Sequence, residues 1–491
     1  MKTKLQYFCI LLALFTGIIS PPFARGDGSF KTLVSFTFTN APNYGASGGY
    51  ERTGSMVQGD DGNFYGTTPS GEPPDANNLS GTFTYGTVFK MTPAGTFTSI
   101  YFFDALAAEY SGAPLDGQWP VGNLINGTDG NLYGTAPNGG AYAAGTVFQI
   151  MTNGALTVIY SFGGNAGFEP AVGWTNYDGN EPLAGVVQGT DGNFYGTTAS
   201  DGAYGQGTVF QLTPGGVLMT LHSFTNLNDL GQNVDGAKPE GELVEGDDGN
   251  FYGTATSGGA DACGTIFRIT PAGAYDILVS FNGTNGFRPV AGLCKGNDGN
   301  FYGTTYGAPG NYYSTVFQMT TNGVLTTLHQ FQFAGETNDG DEPVAKLIQG
   351  SDGKFYGTTT GNTVFQITTN GTFAVLHTFS GLDGLIPRAS LVQGADGNFY
   401  GTTSGGGAHG YGTIFSITIP PAFQSVTQTN GMFNFTWSIV PGQTYQLQSN
   451  TNLSSTNWLN LGSSVTATNT TAGGSDSTTN SQCFYRIMLL Q

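Results

Sequence analysis

One phrase, Asp191-Gly-Asn-Phe-Tyr-Gly-Thr-Thr198, organises this chain of 491 residues. The phrase occurs unchanged from Asp61, Asp298 and Asp396. Close variants begin at Asp129, Asp248 and Asp352. Successive copies lie 44 to 68 residues apart, so a constant unit is joined by loops of variable length. Repetition at this period indicates a tandem-repeat architecture, here of seven units.

Each unit contains four apolar segments. In the third unit they are Leu183–Gly189, Asn193–Thr198, Gly207–Thr213 and Val217–Phe224. Their period-two alternation predicts half-buried strands. Asp-Gly between the first two segments predicts a hairpin with a type I′ turn, in which both central residues have positive φ. Each unit is therefore predicted to be a four-stranded antiparallel meander.

The two ends of the chain predict how the units close. The seventh unit has three strands and then meets Pro420-Pro421. Leu33-Val34-Ser35-Phe36 precedes the first unit, and the same residue types end a fourth strand at 278–281. We therefore predict an all-β fold, a seven-bladed β-propeller of four-stranded blades, in which an N-terminal strand completes the last blade in a 3+1 closure. Such closure removes exposed sheet edges.

Three parts of the chain are predicted. Residues 1–26 form a secretory signal peptide, because two lysines precede an apolar run, Cys9–Ile19, that is short for a membrane span. Residues 27–419 form the propeller, and residues 420–491 form a small C-terminal β-sandwich domain. We expect a secreted or cell-surface protein, with no transmembrane segment after removal of the signal.

Composition limits the partners. The chain carries 33 acidic and 14 basic residues, a net charge of −19, so its surface repels nucleic acid and anionic lipid. We expect a monomer without a nucleic-acid partner or a cofactor. Cys263 and Cys294 lie in neighbouring units and could form a disulfide. We favour the alternative, in which Cys263, Cys294 and Cys483 are small buried hydrophobic residues.

No metal site is predicted. Each unit offers one Asp in its turn, and well-separated single carboxylates do not build a calcium site, so these residues are interpreted as turn formers. His222, His329 and His377 occupy one fourth-strand position that other units fill with Tyr101, Tyr160, Val34 and Val279. A position that accepts His, Tyr or Val is interpreted as a packing position, and no catalytic residue is predicted.

At this point the repeat resembles a known family. The phrase, the Gly-rich loop after it and the following G-T-V-F-Q-x-T resemble the GloVer (Gloeo_Verruco) tandem repeat of exported bacterial proteins over about residues 30–418. The resemblance implies a propeller-like fold with an interchangeable C-terminal module and no defined activity. The final Phe484-Tyr485-Arg486 resembles the end of the small terminal β-domain of many exported repeat proteins.

The variable loops indicate where function lies. Loops between second and third strands, and connections between units, differ in length and fall on one face of the predicted ring, and binding sites concentrate on such loops. Aromatic rings beside carboxylates suit sugars; the alternative is that these aromatics cap blade interfaces. The candidate ligand-binding residues are Trp119, Trp174, Tyr177, Asp178, Tyr306 and Tyr312.

Three functions remain open. The first is a non-catalytic extracellular propeller that binds a glycan or a surface protein. The second is a polysaccharide-active lyase or hydrolase that uses a carboxylate pair such as Asp178 and Asp235. The third is a structural cell-surface component. We expect the first.

Overall fold

The computed structural model describes residues 11–12, 29–37, 54–69, 85–103, 114–169, 173–307, 313–332, 339–419, 421, 423–430, 432–440, 443–452, 457–468, 471–477 and 483–490. These residues form strands and turns, and none of them is helical. The predicted signal peptide lies outside the described residues except for its two-residue strand.

The strands are named in chain order. The first sixteen are β1 (Leu11–Leu12), β2 (Ser29–Ser35), β3 (Val57–Gln58), β4 (Phe64–Thr68), β5 (Thr87–Met91), β6 (Phe97–Phe102), β7 (Ile125–Asn126), β8 (Leu132–Ala136), β9 (Thr146–Ile150), β10 (Leu156–Ser161), β11 (Ala166–Glu169), β12 (Gly173–Asn176), β13 (Val187–Gln188), β14 (Phe194–Thr198), β15 (Thr208–Leu212) and β16 (Leu218–Ser223). The next fifteen are β17 (Val244–Glu245), β18 (Phe251–Ala255), β19 (Thr265–Ile269), β20 (Tyr275–Ser280), β21 (Cys294–Lys295), β22 (Phe301–Thr305), β23 (Thr315–Met319), β24 (Leu325–Gln330), β25 (Ile348–Gln349), β26 (Phe355–Thr359), β27 (Thr363–Ile367), β28 (Phe373–Thr378), β29 (Val392–Gln393), β30 (Phe399–Thr403) and β31 (Thr413–Thr418). The last seven are β32 (Phe423–Thr429), β33 (Met432–Ser438), β34 (Thr444–Asn450), β35 (Leu459–Asn460), β36 (Val465–Thr466), β37 (Thr471–Asp476) and β38 (Phe484–Leu490).

Seven four-stranded antiparallel sheets lie among the described residues. Six are the consecutive sets β3–β6, β7–β10, β13–β16, β17–β20, β21–β24 and β25–β28. The seventh has the order β2-β31-β30-β29, with Val34 opposite Ile414. The prediction that an N-terminal strand completes the last unit is therefore confirmed.

The repeated phrase forms the buried second strand of each sheet. In β14 every residue is buried, and Tyr195 stacks on Phe251 of the next sheet with ring centroids 3.9 Å apart. The same contact joins the seventh sheet to the first, where Tyr400 and Phe64 lie 4.1 Å apart. Burial of these aromatic faces, together with the Val, Leu and Ile side chains around them, holds neighbouring sheets together.

The first hairpin turn differs from the predicted type. Gly189 N–H donates to Asn193 O, Gly192 has a φ of 83°, and Asp191 has no positive φ, so the turn is not type I′. The Asp191 carboxylate instead accepts hydrogen bonds from Asn193 N at 3.0 Å and from the Tyr195 hydroxyl at 2.7 Å. Backbone bonds, including Gly192 N to Gly189 O at 2.9 Å, close the turn, and the Asp191 side chain braces it, which supports the interpretation of the repeated Asp as a turn former.

The first strand is also shorter than predicted. Strand β13 covers Val187–Gln188, whereas the sequence predicted Leu183–Gly189. Residues 183–185 leave the sheet and line a cavity that all seven sheets share. These residues are therefore apolar because they line the cavity, and not because they pair in a strand.

Two further sheets follow the repeats. One has the order β32-β33-β37, and in the other β34 pairs with β35, β36 and β38, with β1 beside β38. Their buried side chains, including Phe435, Trp437 and Tyr485, form one cluster. Val440 lies against Gly397 in the first hairpin turn of the seventh sheet, whereas a Cβ at the equivalent glycine of each other unit would meet nothing within 4 Å. The C-terminal sheets therefore contact the repeats at a hairpin turn.

Candidate functional site

The variable segments lie together on one face, here called the loop face. Isolated bridges join a connection between sheets to the loop that follows a second strand, as between Gln118 and Asn138 or between Leu385 and Gly405. The hairpin turns that join first to second strands, and third to fourth strands, lie at the other ends of the strands, on the face opposite the loop face. The loop face is thus built from the parts of the units that differ most.

Six equivalent residues of the loop face have a left-handed backbone, with φ between 51° and 58°. Each directly precedes a proline, which further restricts its backbone, and a non-glycine residue at positive φ is uncommon. We call them the pre-proline ring. Its members are Trp119, Glu181, Lys238, Arg288, Glu342 and Ile386.

Backbone hydrogen bonds hold this strained conformation. Lys238 N–H donates to Gln206 O of the preceding sheet at 2.9 Å, and Lys238 O accepts from Thr256 N of its own sheet at 3.1 Å. Glu181 makes the same two bonds, with Ala144 and Ala199. Because these bonds use only main-chain atoms, the fold does not specify the side chain at these positions.

A second repeated feature joins the fourth strand to the connection that follows it in five of the units. His222 Nε2 is hydrogen-bonded to Asp235 Oδ2 at 3.0 Å, and its ring stacks on Tyr275 of the next sheet with centroids 3.8 Å apart. The Tyr101 hydroxyl donates to Asp116 in the same way, at 2.7 Å. The stacking agrees with the interpretation of the His position as a packing position. The carboxylate partner was missed, although units with His or Tyr there carry Asp in the connection.

Burial determines the protonation of these pairs. Burial lowers the pKa of His329 and of His377 below the usual value, and the nearby carboxylates offset this only in part. Burial alone would raise the pKa of Asp235, but hydrogen bonds from His222 and Thr225 hold it below the usual value. Hydrogen bonds from Ser380 and His377 likewise hold the pKa of Asp383 below its usual value, so at neutral pH the His377–Asp383 pair combines a neutral imidazole with a charged carboxylate.

One predicted site residue is placed differently from expectation. Asp178 was expected to be exposed, but it is only 2% exposed, and it accepts hydrogen bonds from the Tyr160 hydroxyl at 2.8 Å and from Gly163 N at 3.1 Å. Asp235 is likewise 6% exposed. Each carboxylate is held by its own fourth strand, Asp178 by Tyr160 and Asp235 by His222.

The other predicted aromatics fall into two groups. Trp119 belongs to the pre-proline ring. Trp174 lies in β12, opposite Phe168 of β11, in an extra hairpin between the second and third sheets. Tyr177 follows this hairpin and is half-buried, while Tyr312 lies outside the described residues. Ligand binding by these residues stays a prediction.

Tyr306 lies beside two members of the pre-proline ring. The Arg288 guanidinium lies over the Tyr306 ring, 5.4 Å from its centroid, and Tyr306 N–H donates to Arg288 O at 3.0 Å. Burial and the neighbouring Glu342 carboxylate raise the pKa of the Tyr306 hydroxyl. Tyr306 therefore lies between Arg288 and Glu342 of the pre-proline ring.

A cavity of about 60 Å³ lies where the seven units meet, and each unit contributes residues to its wall. We call it the central cavity. Four charged side chains line it: Glu240, Glu242, Lys346 and Arg388. Lys346 Nζ lies 3.3 Å from Glu242 Oε2. The members of the pre-proline ring stand two residues before the first wall residue of their units, as Lys238 precedes Glu240.

Cysteine and metal chemistry add no site within the described part of the chain. Cys263, Cys294 and Cys483 are buried free thiols, so the possible pairing of Cys263 with Cys294 does not occur. No three His, Cys, Asp or Glu side chains of the described residues are grouped to hold a metal ion. The described residues also include no helix long and apolar enough to cross a membrane.

The repeated sheets and constant turns define a tandem-repeat all-β protein of propeller-like build. The chain belongs to the Gloeobacter/Verrucomicrobia repeat family, whose model matches residues 23–182 and 172–363. A comparison with curated proteins finds no match.

Similar solved structures are distant in sequence. A candidate 6-phosphogluconolactonase from Bacteroides uniformis is 14% identical, with a TM-score of 0.40 over 66% of this chain and 83% of that protein. A candidate 6-phosphogluconolactonase from Bacteroides fragilis is 14% identical, with a TM-score of 0.40 over 88% of this chain and 99% of that protein. The extracellular domain of a candidate hybrid two-component system from B. thetaiotaomicron is 10% identical, with a TM-score of 0.31 over 89% of this chain and 70% of that protein.

Proposed function

We propose that this chain is an exported, non-catalytic binding scaffold whose loop face binds a glycan or a surface protein. In this proposal a signal peptide (1–26) precedes a closed seven-bladed propeller (27–419) and a C-terminal β-sandwich (420–491). Ring closure is supported by the contacts between the last and first sheets, including the hydrogen bond from Ala395 N to Gln58 Oε1 at 2.7 Å. A closed ring gives a rigid base for variable loops.

The pre-proline ring is the observation that carries the proposal. Glycine would relieve positive φ at each of its six positions, and glycine is abundant, with 79 copies in the chain. None of the six positions is glycine; they carry Trp, Glu, Lys, Arg, Glu and Ile. The buried strands repeat almost the same residues in every unit, whereas the ring does not. Strain kept at positions with divergent side chains favours a role in ligand contact.

The character of the ring favours a glycan. It combines an aromatic face with hydrogen-bond donors and acceptors of both charges, and sugars present apolar CH faces together with hydroxyls that donate and accept. The contact of Val440 with Gly397 supports a C-terminal domain that sits at the hairpin turns. That position leaves the loop face open to a ligand.

A glycan array tests the proposal. We expect saturable binding by the mature protein from about Asp27, and at least about a tenfold loss with Trp119→Ala or Arg288→Ala, because central aromatic and Arg contacts dominate binding. Trp458→Ala is the matched control, since Trp458 lies outside the repeats beneath Arg486 and its loss is expected to leave binding unchanged. Binding that both ring variants retain in full overturns the assignment to the loop face.

The second candidate function is a polysaccharide-active enzyme. It is favoured by one feature, the two carboxylates of Glu240 and Glu242 in the wall of the central cavity. Two carboxyl groups close in space are what glycoside hydrolysis requires. Release of new chain ends from polysaccharides by the wild type, and its loss in Glu240→Gln and Glu242→Gln, would replace the binding scaffold by this alternative.

A further inference from the structure

We infer that Tyr142 and Tyr204, here called the tyrosine pair, bind a neutral, linear glycan chain whose sugar rings stack on the two phenol rings. This inference rests on the proposed function, because it takes the ligand to be a glycan. It places the contact on the loops that follow the second strands of the second and third units. Tyr142 lies in the loop 137–145, and Tyr204 lies in the loop 199–207.

The two tyrosines occupy equivalent positions in loops that share one backbone arrangement. The loops 137–145, 199–207, 256–264 and 404–412 are equal in length. In each of them the N–H of the last residue donates to the carbonyl of the third, as Gly145 N donates to Gly139 O at 3.0 Å. The sixth residue of these loops is Tyr142, Tyr204, Asp261 and His409. The same backbone thus carries three kinds of side chain, so the fold does not require tyrosine there.

Both members of the tyrosine pair are open to solvent. Tyr142 is 61% exposed and Tyr204 is 42% exposed. Among the side chains that the structure describes, no other Tyr, Phe or Trp is exposed to this extent. The other aromatic rings gain stability by burial, which these two rings do not. Two exposed aromatic rings at one loop position of adjacent units therefore indicate a contact surface for a ligand.

Two glycines support the Tyr142 ring. Gly163 and Gly164 lie in the connection that leaves the second unit, and Tyr142 packs against them. A Cβ at Gly164 would lie 3.0 Å from Tyr142 Cε2 and 3.4 Å from its Cζ. One side of the ring therefore rests on the main chain, which leaves the other side to a ligand. A ring that is already held in place loses little conformational entropy when a sugar stacks on it.

The extra hairpin of β11 and β12 links the two loops. It follows Gly164 in the chain, so it begins beside the Tyr142 ring. Thr175 Oγ1 donates to Gly202 O at 2.6 Å, and Gly202 N donates to Asn176 O at 2.9 Å. The hairpin is therefore fastened to the loop that carries Tyr204. Because contacts connect the two loops across two units, this region suits a chain of sugars better than a single ring.

The charge of the region favours a neutral glycan. The segments 137–145, 163–182 and 199–207 contain no Lys or Arg, and their acidic residues are Glu169, Asp178, Glu181 and Asp201. These carboxylates repel the uronate and sulfate groups of anionic glycans. Three of the carboxylates already accept hydrogen bonds within the protein, from Tyr160, Ser200 and Asn176. They are thus engaged by neighbouring side chains, which leaves the aromatic rings as the main contact for an uncharged chain.

Calorimetric titration of the mature full chain with cellohexaose, xylohexaose, mannohexaose and maltohexaose tests the inference. We expect at least one hexasaccharide to bind, with an affinity that rises from its disaccharide to the hexasaccharide, and we expect a galacturonate hexamer not to bind. Tyr142→Ala and Tyr204→Ala are each expected to weaken binding about tenfold, because one stacking contact is lost. Tyr142→Phe keeps the ring and is expected to bind within about threefold of the wild type.

The seventh unit supplies a matched control. His409→Ala truncates the same loop position on the same face, and it is expected to leave hexasaccharide affinity unchanged. The tyrosine pair is exposed, so both alanine variants are expected to unfold at the temperature of the wild type. Thermal unfolding of each variant therefore shows that weaker binding comes from the lost ring and not from a lost fold.

The outcomes separate this inference from the proposed function. Glycan-array binding that Trp119→Ala weakens, but that both tyrosine variants retain in full, supports the pre-proline ring and overturns the tyrosine pair. Hexasaccharide binding that both tyrosine variants weaken, with array binding insensitive to Trp119→Ala and Arg288→Ala, supports the tyrosine pair and overturns the pre-proline ring. Absence of binding by every hexasaccharide, or an equal loss of affinity in His409→Ala, also overturns the inference.

Discussion

Replacing Asp235 by Asn is expected to lower the free energy of unfolding by about 1.5–3 kcal/mol, the loss of one hydrogen bond to a charged group. Asp235 is 6% exposed and accepts from His222 Nε2 at 3.0 Å and from Thr225 N at 3.1 Å. An Asn oxygen can still accept from Thr225, but its amide presents no charge to the imidazole. In the fourth sheet both positions carry uncharged residues. Val279 stands at the position of His222, and Asn285 stands at the position of Asp235.

His222→Val is expected to lower the free energy of unfolding by about 2–4 kcal/mol, because a buried charge loses a donor and the ring contact with Tyr275 is lost. The double variant His222→Val/Asp235→Asn reproduces the Val279/Asn285 pair. It is therefore expected to lose roughly 1–2 kcal/mol less than the sum of the single variants.

Urea unfolding of the four proteins measures this coupling, with an unchanged m-value as the sign that only stability has changed. Asp247→Asn is the control, since the Asp247 side chain is 78% exposed and its replacement is expected to shift stability by less than about 0.5 kcal/mol. Losses that add within about 0.5 kcal/mol would falsify the idea that these two residues form a unit.

Three further results are expected. Burial lowers the pKa of His377 in the folded protein below its usual value of about 6.5. As the pH falls through about 6.5, His377 is protonated more readily in the unfolded chain than in the folded protein, so the free energy of unfolding decreases below about pH 6.5. His377→Tyr, which copies the Tyr101–Asp116 pair, should reduce the dependence of the free energy of unfolding on pH by up to about 1.4 kcal/mol per pH unit, as measured by urea unfolding at several pH values. An unchanged pH dependence would contradict the assignment of this effect to His377. Gly397→Asn should release the C-terminal sheets to proteolysis, whereas Gly192→Asn, at an open turn with the same sign of φ, should not. Thiol titration of the mature protein should find three thiols after unfolding and almost none before it, at Cys263, Cys294 and Cys483.

The strand pattern could be read from sequence because it is local. Alternation of period two and Gly-containing turns depend on residues only a few positions apart, and they predicted the second to fourth strands of the third unit within one residue at each end. The offset of the repeats predicted that a strand at Leu33–Phe36 completes the last sheet, because an unpaired sheet edge is unfavourable, and the observed strand is Ser29–Ser35. The turn type was predicted wrongly because positive φ falls on Gly192 alone, while the side chain of Asp191, which has no positive φ, accepts a hydrogen bond from Asn193 N.

The candidate site depends on residues that the chain spaces tens of residues apart. From sequence alone, Asp178 is interpreted as an exposed acid in a loop, but in the structure it accepts a hydrogen bond from the Tyr160 hydroxyl. No local sequence pattern predicts that a fourth strand contacts the connection that follows it. Positive φ before each proline follows from hydrogen bonds to two different sheets, as at Lys238. The central cavity exists only where all seven units meet. Local periodicity thus determined the strands and the number of units, whereas long-range packing decided which side chains face a ligand.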